Sequence, residues 1–215
     1  MPPPSSSSTP AALAEILRDS ALLWRGNESP HPKTRSTGFA ELDDCLPGGG
    51  WPLGTLIEIL PACEGVGELS LCLPALASLC RDGRRVALVA PPHVPYAPAL
   101  VRAGLQLDSM LWVDADRDED ALWSAEQLLR DGNAGAVLVW SSTRDERPLR
   151  RLQLAAETGK AFAFLYRSPA NLRQASPASL RITLYPDVDG TRAELIKIRG
   201  ARPRSISLNL ATAFT

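Results

Sequence analysis

Thr55-Leu56-Ile57-Glu58-Ile59-Leu60-Pro61-Ala62-Cys63-Glu64-Gly65-Val66-Gly67-Glu68-Leu69-Ser70 is the stretch that decides the fold. Its first six residues, Thr55 to Leu60, are apolar apart from Thr55 and Glu58 and read as a strand. Pro61 to Gly67 holds a proline and two glycines and reads as a turn. From Glu68 to Arg81 the chain is strongly apolar and reads as a helix. Strand, glycine turn and helix in that order form the repeating unit of a parallel α/β sheet.

The alternation continues downstream. Strands are expected at Val86–Ala90, Met110–Val113, Ala136–Trp140 and Ala161–Tyr166, with helices at Ala97–Ala103, Ala121–Arg130 and Pro148–Glu157 between them. Leu180–Tyr185 and Arg192–Arg199 flank Asp187-Val188-Asp189-Gly190, a hairpin signal. The expected fold class is α/β: a mostly parallel sheet flanked by helices, closed by a C-terminal β-hairpin. Upstream, Phe39–Leu46 reads as a short helix stopped by Pro47-Gly48-Gly49-Gly50. Residues 1–10 are rich in Pro and Ser and read as disordered, Ala11–Trp24 as an amphipathic helix, and Arg25–Ser36 as a linker. The expected organisation is an N-terminal extension over 1–35, a core over 36–203 and a tail over 204–215.

Composition narrows the function classes. The 215 residues carry 23 basic and 24 acidic side chains, a net charge of −1. A bulk basic field for nucleic acid or an anionic membrane is thereby excluded, though a local basic patch is not. Met1 to Ser8 has neither a basic start nor an apolar core, so a secretory leader is not expected, and no apolar run approaches the roughly 18 residues of a membrane span. Cys45, Cys63, Cys72 and Cys80 lack C-x-x-C spacing and read as free thiols of a reducing cytoplasm. No cofactor or metal is expected.

A strand, Pro/Gly turn and helix is also where a phosphate-binding loop sits. There, backbone N–H groups hold phosphate oxygens, a Lys neutralises charge and a Ser or Thr binds magnesium. In the loop marked by Gly65 and Gly67, this chain supplies Glu68 and Leu69 where Lys and Thr are wanted. A carboxylate repels a triphosphate, and leucine offers a metal no oxygen.

The segment Ser36–Asp43 with Pro47-Gly48-Gly49-Gly50-Trp51-Pro52-Leu53-Gly54-Thr55-Leu56-Ile57-Glu58-Ile59 resembles the recombinase family of RecA. The likeness continues in order through Val86–Ala90, Ala136–Ser142, Ala161–Arg167 and Glu194–Pro203. It implies a RecA-like core, with departures that fall on the chemistry. The carboxylate that prepares RecA's attacking water corresponds to Pro92, and the Walker B aspartate to Trp140 or Ser141. With Glu68, three requirements for ATP hydrolysis fail together, so no enzyme activity is expected.

The stretches Glu64-Gly65-Val66-Gly67-Glu68-Leu69, Ala90-Pro91-Pro92-His93-Val94-Pro95-Tyr96 and Arg150-Arg151-Leu152-Gln153-Leu154-Ala155 are similar to the ImuA family. That resemblance implies a cytoplasmic accessory role in SOS-induced translesion DNA synthesis, at the nucleoid when engaged. The implied partners are an ImuB-like protein, RecA and a specialised DNA polymerase. The alternative is the related division inhibitor SulA, which acts on FtsZ.

Remaining candidates are surfaces. Lys197, Arg199, Arg202 and Arg204 form a basic segment. In the RecA alignment Lys197 and Arg199 match basic residues that reach a neighbour's ATP, while a charged, protected edge strand is the plainer reading. Trp51 and Trp123 are candidate partner anchors, or rim residues of the core. The acidic run Asp114–Asp120 suits a helix start better than a metal loop, and His93 has no nucleophile beside it. Ser168–Pro177, where RecA has a DNA-binding loop, carries only Arg173 as a charge, so DNA contact is expected to be weak or indirect.

Overall fold

The computed structural model describes residues 33–188 and 190–210. The chain divides into two units, Met1–His31 and Pro32–Thr215. The expected disordered start, the helix at 11–24 and most of the linker lie outside the described residues.

Strands β3 (Leu56–Pro61), β4 (Arg85–Val89), β5 (Met110–Val113), β6 (Ala134–Trp140), β7 (Phe162–Tyr166), β8 (Leu180–Asp187), β9 (Gly190–Ile198) and β10 (Arg204–Leu208) form one eight-stranded sheet. Its order is β10-β9-β8-β3-β7-β6-β4-β5. Neighbours from β8 through to β5 run parallel, while β9 and β10 pair antiparallel at one edge. A two-stranded ribbon, β1 (Thr34–Arg35) with β2 (Trp51–Pro52), lies apart from it. The helices are α1 (Ala40–Asp43), α2 (Leu73–Arg81), α3 (Ala97–Arg102), α4 (Asp118–Arg130) and α5 (Glu146–Gly159).

The two-residue period of each strand sorts side chains between two cores. Ile57, Ile59, Val86, Leu88, Leu138, Phe162 and Phe164 join α1 and α2 on one face. Leu56, Ala87, Val89, Val137, Val139, Ala163 and Leu165 join α4 and α5 on the other. Burial on both faces is why the central strands read as unbroken apolar runs.

Local chemistry sets the ends. Pro74 sits in the first turn of α2, where its missing N–H costs nothing. The helix expected from Glu68 therefore begins only at Leu73, after turns. Asp118, Glu119 and Asp120 fill the first turn of α4 and complement its dipole, so that helix starts before Ala121. The Asp145 side chain accepts from the Arg147 N–H at the head of α5.

Two boundaries move. Thr34 and Arg35, expected in the linker, pair with β2. Arg204–Leu208, expected in a tail, form β10 and extend the sheet beyond residue 203. This strand covers only Ile206 and Leu208, so its alternation is short and the basic residues before it mask the signal.

Candidate functional site

The degenerate loop lies at the C-terminal end of β3, where open parallel sheets bind ligands. Gly65 and Gly67 have φ of +76° and +98°, a region that favours glycine. Glu68 folds back on its own loop, and its Oε1 accepts from the Gly65 N–H at 3.2 Å. An N–H that a phosphate would claim is thus taken by a carboxylate. Glu68 Oε2 is buried without a partner among the described residues. A unit negative charge brought within about 4 Å of this carboxylate would be repelled by about 4 kcal/mol at an effective dielectric of about 20.

The loop is also held from outside. Thr191 Oγ1 on β9 donates to the Val66 carbonyl at 2.8 Å. Leu210, beyond β10, lies against Gly67: a methyl at Gly67 would stand 2.5 Å from Leu210 Cδ1. Neither contact is legible locally, because both depend on the β9–β10 edge folding over the loop.

Trp140, at the end of β6, stacks on Tyr166 with ring centroids 4.5 Å apart and planes 9° from parallel. The Tyr166 hydroxyl lies 3.3 Å from the Glu68 carbonyl oxygen and 3.4 Å from Cys72 Sγ. Burial raises the Tyr166 phenol well above its ordinary range and pushes the Cys72 thiol up to about 12. An aromatic pair therefore closes the end of β6, at Trp140, which with Ser141 is one of the two positions that the RecA resemblance matches to the Walker B aspartate. Ser141 Oγ donates to Asp118 Oδ2 at 3.0 Å, and the Ser142 N–H to Oδ1 at 3.0 Å, so this carboxylate of the acidic run ties α4 to the strand end. His93 pairs with Glu64 at 3.2 Å, both exposed.

The basic segment is on the surface: Lys197, Arg199, Arg202 and Arg204 are all exposed. Lys197 Nζ donates to the Ser176 carbonyl at 2.7 Å. Partial burial and the positive charges of Arg181 and Arg199 hold its ammonium below the ordinary lysine range. Trp123 is 58% exposed on α4, as a partner anchor requires. Trp51 is wholly buried, its ring edge-on to Phe164 at 5.4 Å, and belongs to the core rather than to a surface. Its large ring fills the space under β3 and β7, which the Gly-rich turn before it concealed.

The sequence pattern also missed a buried charge cluster beside these surfaces. Glu58, on the α4/α5 side of β3, accepts from Arg167 at 2.6 Å and from Arg181. Arg181 also donates to the carbonyls of Asn171, Leu172 and Gln174, at 3.1, 3.2 and 3.2 Å, while Arg167 donates to the Gln174 side chain at 2.8 Å. The Ser168–Pro177 stretch is therefore pinned to the sheet by its own carbonyls. One acidic residue in an apolar strand was the available signal.

The RecA N-terminal domain matches residues 14–146. Protein RecA of Streptomyces venezuelae is 31% identical over 133 residues, which are 60% of this chain and 35% of that protein. Protein RecA of Colwellia psychrerythraea is likewise 31% identical over 133 residues, 60% of this chain and 38% of that protein. The chain thus spans little more than a third of the curated relatives it matches. SulA from Pseudomonas aeruginosa shares 29% identity over 52% of this chain and 97% of its own, with a TM-score of 0.44.

Proposed function

We propose a function from one premise: the chain belongs to the RecA N-terminal domain family. Within that family it is a non-catalytic accessory protein of DNA damage tolerance, working by holding other proteins and not by hydrolysing ATP. Glu68 carries this reading, because its carboxylate takes a loop N–H that a phosphate needs and places a negative charge in the cradle. The stacked Trp140 and Pro92 support it, since neither offers oxygen to a metal or a base to water.

The partners in this reading are RecA and an ImuB-like protein with its specialised polymerase, as for ImuA-type proteins in translesion synthesis. Lys197 and Arg199 meet RecA at the surface where one RecA subunit acts on its neighbour. A chain with that basic face and no nucleotide site joins a filament end through one face only and stops growth there. DNA contact is indirect, because the stretch matching RecA's DNA loop is held to its own core.

The test is capture of purified RecA and ImuB by the immobilised full chain, with FtsZ as comparison. Retention of RecA by the wild type and its loss in Lys197→Ala/Arg199→Ala, with unchanged circular dichroism, is expected. Equal RecA retention by the double variant overturns the assigned surface. Retention of FtsZ alone overturns the reading in favour of a division inhibitor.

A further inference from the structure

Away from the degenerate loop, where β3 and β8 begin and β9 ends, the described residues enclose a cavity of about 110 Å³. Its walls include Leu46, Pro47, Leu180, Ile198 and Arg199. Apolar cavities of about 150 Å³ admit a ligand the size of benzene, so this one suits a single branched aliphatic side chain. Two polar groups stand at its wall. Ser179 is 4% exposed, and its Oγ is buried with no hydrogen-bond partner among the described residues. The Arg199 guanidinium is exposed and makes no ion pair among the described residues, while the Arg199 N–H is fixed to the Ser179 carbonyl at 2.8 Å. Arg202 and Arg204, a few residues further along the chain, are also exposed.

We infer that this cavity is a docking pocket for an acidic protein segment, seating one apolar side chain between Leu46, Leu180 and Ile198 while a neighbouring carboxylate pairs with Arg199. Charge complementarity selects the occupant: Arg199 at the wall of an apolar hole disfavours a basic peptide, and the hole itself disfavours a purely polar one. The apolar anchor gives affinity and Arg199 gives selectivity, the usual division within an interface. This inference rests on the reading that the Lys197–Arg204 surface meets a protein, and it names the chemistry of what is met there.

The test uses the ¹⁵N-labelled full chain and three synthetic peptides: Ac-Asp-Glu-Leu-Asp-Glu-amide, its Leu-to-Ala analogue, and Ac-Lys-Lys-Leu-Lys-Lys-amide. The acidic leucine peptide is expected to shift the amides of Leu180, Ile198 and Arg199 with a Kd of roughly 0.1–1 mM. The alanine analogue binds about tenfold more weakly. Arg199→Ala, at an exposed position, weakens binding roughly three-fold, and Arg199→Glu exchanges preference toward the lysine peptide. Absent shifts at those amides, equal binding of the alanine analogue, or unaltered preference in Arg199→Glu overturns the pocket. RecA capture, measured in parallel, separates the two ideas. Capture without peptide shifts overturns the pocket alone, and peptide shifts without capture overturn only RecA as the partner.

Discussion

Replacing Glu58 by Gln is the sharpest probe of how the sheet holds the loop that follows it. The side chains of Glu58, Arg167 and Arg181 are 0%, 1% and 9% exposed, so water cannot take over when the carboxylate is neutralised. Breaking a buried pair from one side costs about 3–5 kcal/mol, because the remaining charge stays buried. For a domain of this size that lowers Tm by roughly 6–20 °C. Glu126 is an internal control: its side chain is 5% exposed and pairs with Arg130 and Arg151, but those arginines are 56% exposed. Their heads reach water once the partner is gone, so Glu126→Gln should cost about 1 kcal/mol or less. Urea unfolding of both variants measures the difference. Hydrogen exchange should also quicken across 168–179 in Glu58→Gln, since Arg181 no longer anchors the carbonyls of Asn171, Leu172 and Gln174. Equal destabilisation by the two substitutions, or a Glu58→Gln cost under about 1 kcal/mol, refutes the reasoning.

Other expectations follow from single contacts. Gly67→Ala combines φ of +98° with a methyl 2.5 Å from Leu210 Cδ1, and should cost about 1–3 kcal/mol in urea unfolding. Trp51→Ala removes a fully buried ring and should cost about 3–5 kcal/mol, whereas Trp123→Ala should stay within about 0.5 kcal/mol and show its effect in partner capture. Burial raises the Cys72 thiol from its ordinary 9.0 to about 12, so the folded state holds that proton more tightly than the unfolded one. The associated stability is complete below pH 9 and is lost as pH climbs toward 12, which denaturant titrations across that range should show. At pH 8.5, exposed Cys63 should react with a thiol reagent while Cys72 stays protected.

The parallel core was legible because its signals are local. Leu56–Leu60, apart from Glu58, and Val86–Val89, Val137–Val139 and Phe162–Tyr166 are apolar on both faces, and prolines and glycines separate them from amphipathic helices. The start of α2 was misplaced because Glu68–Cys72 carries helical apolarity but follows the left-handed Gly65 and Gly67 in a run of turns, and the regular helix begins beside Pro74. β10 escaped because an edge strand buries few residues and hides among charges. For the site, the loss of Lys and Thr from the loop was visible as residue identity. The Glu68–Gly65 hydrogen bond, the Thr191 and Leu210 contacts and the Glu58 cluster were not, since each joins residues brought together only by the sheet. Trp51 and Trp123 illustrate the same limit: two tryptophans with equal claims to a surface, one at 0% and one at 58% exposure.

Calorimetric titration of the full chain with magnesium-ATP tests most directly the proposal that this RecA-family core has exchanged nucleotide chemistry for protein contacts. The carboxylate of Glu68 in the loop predicts no saturable heat up to about 1 mM nucleotide. A saturable isotherm with a micromolar Kd would contradict the account.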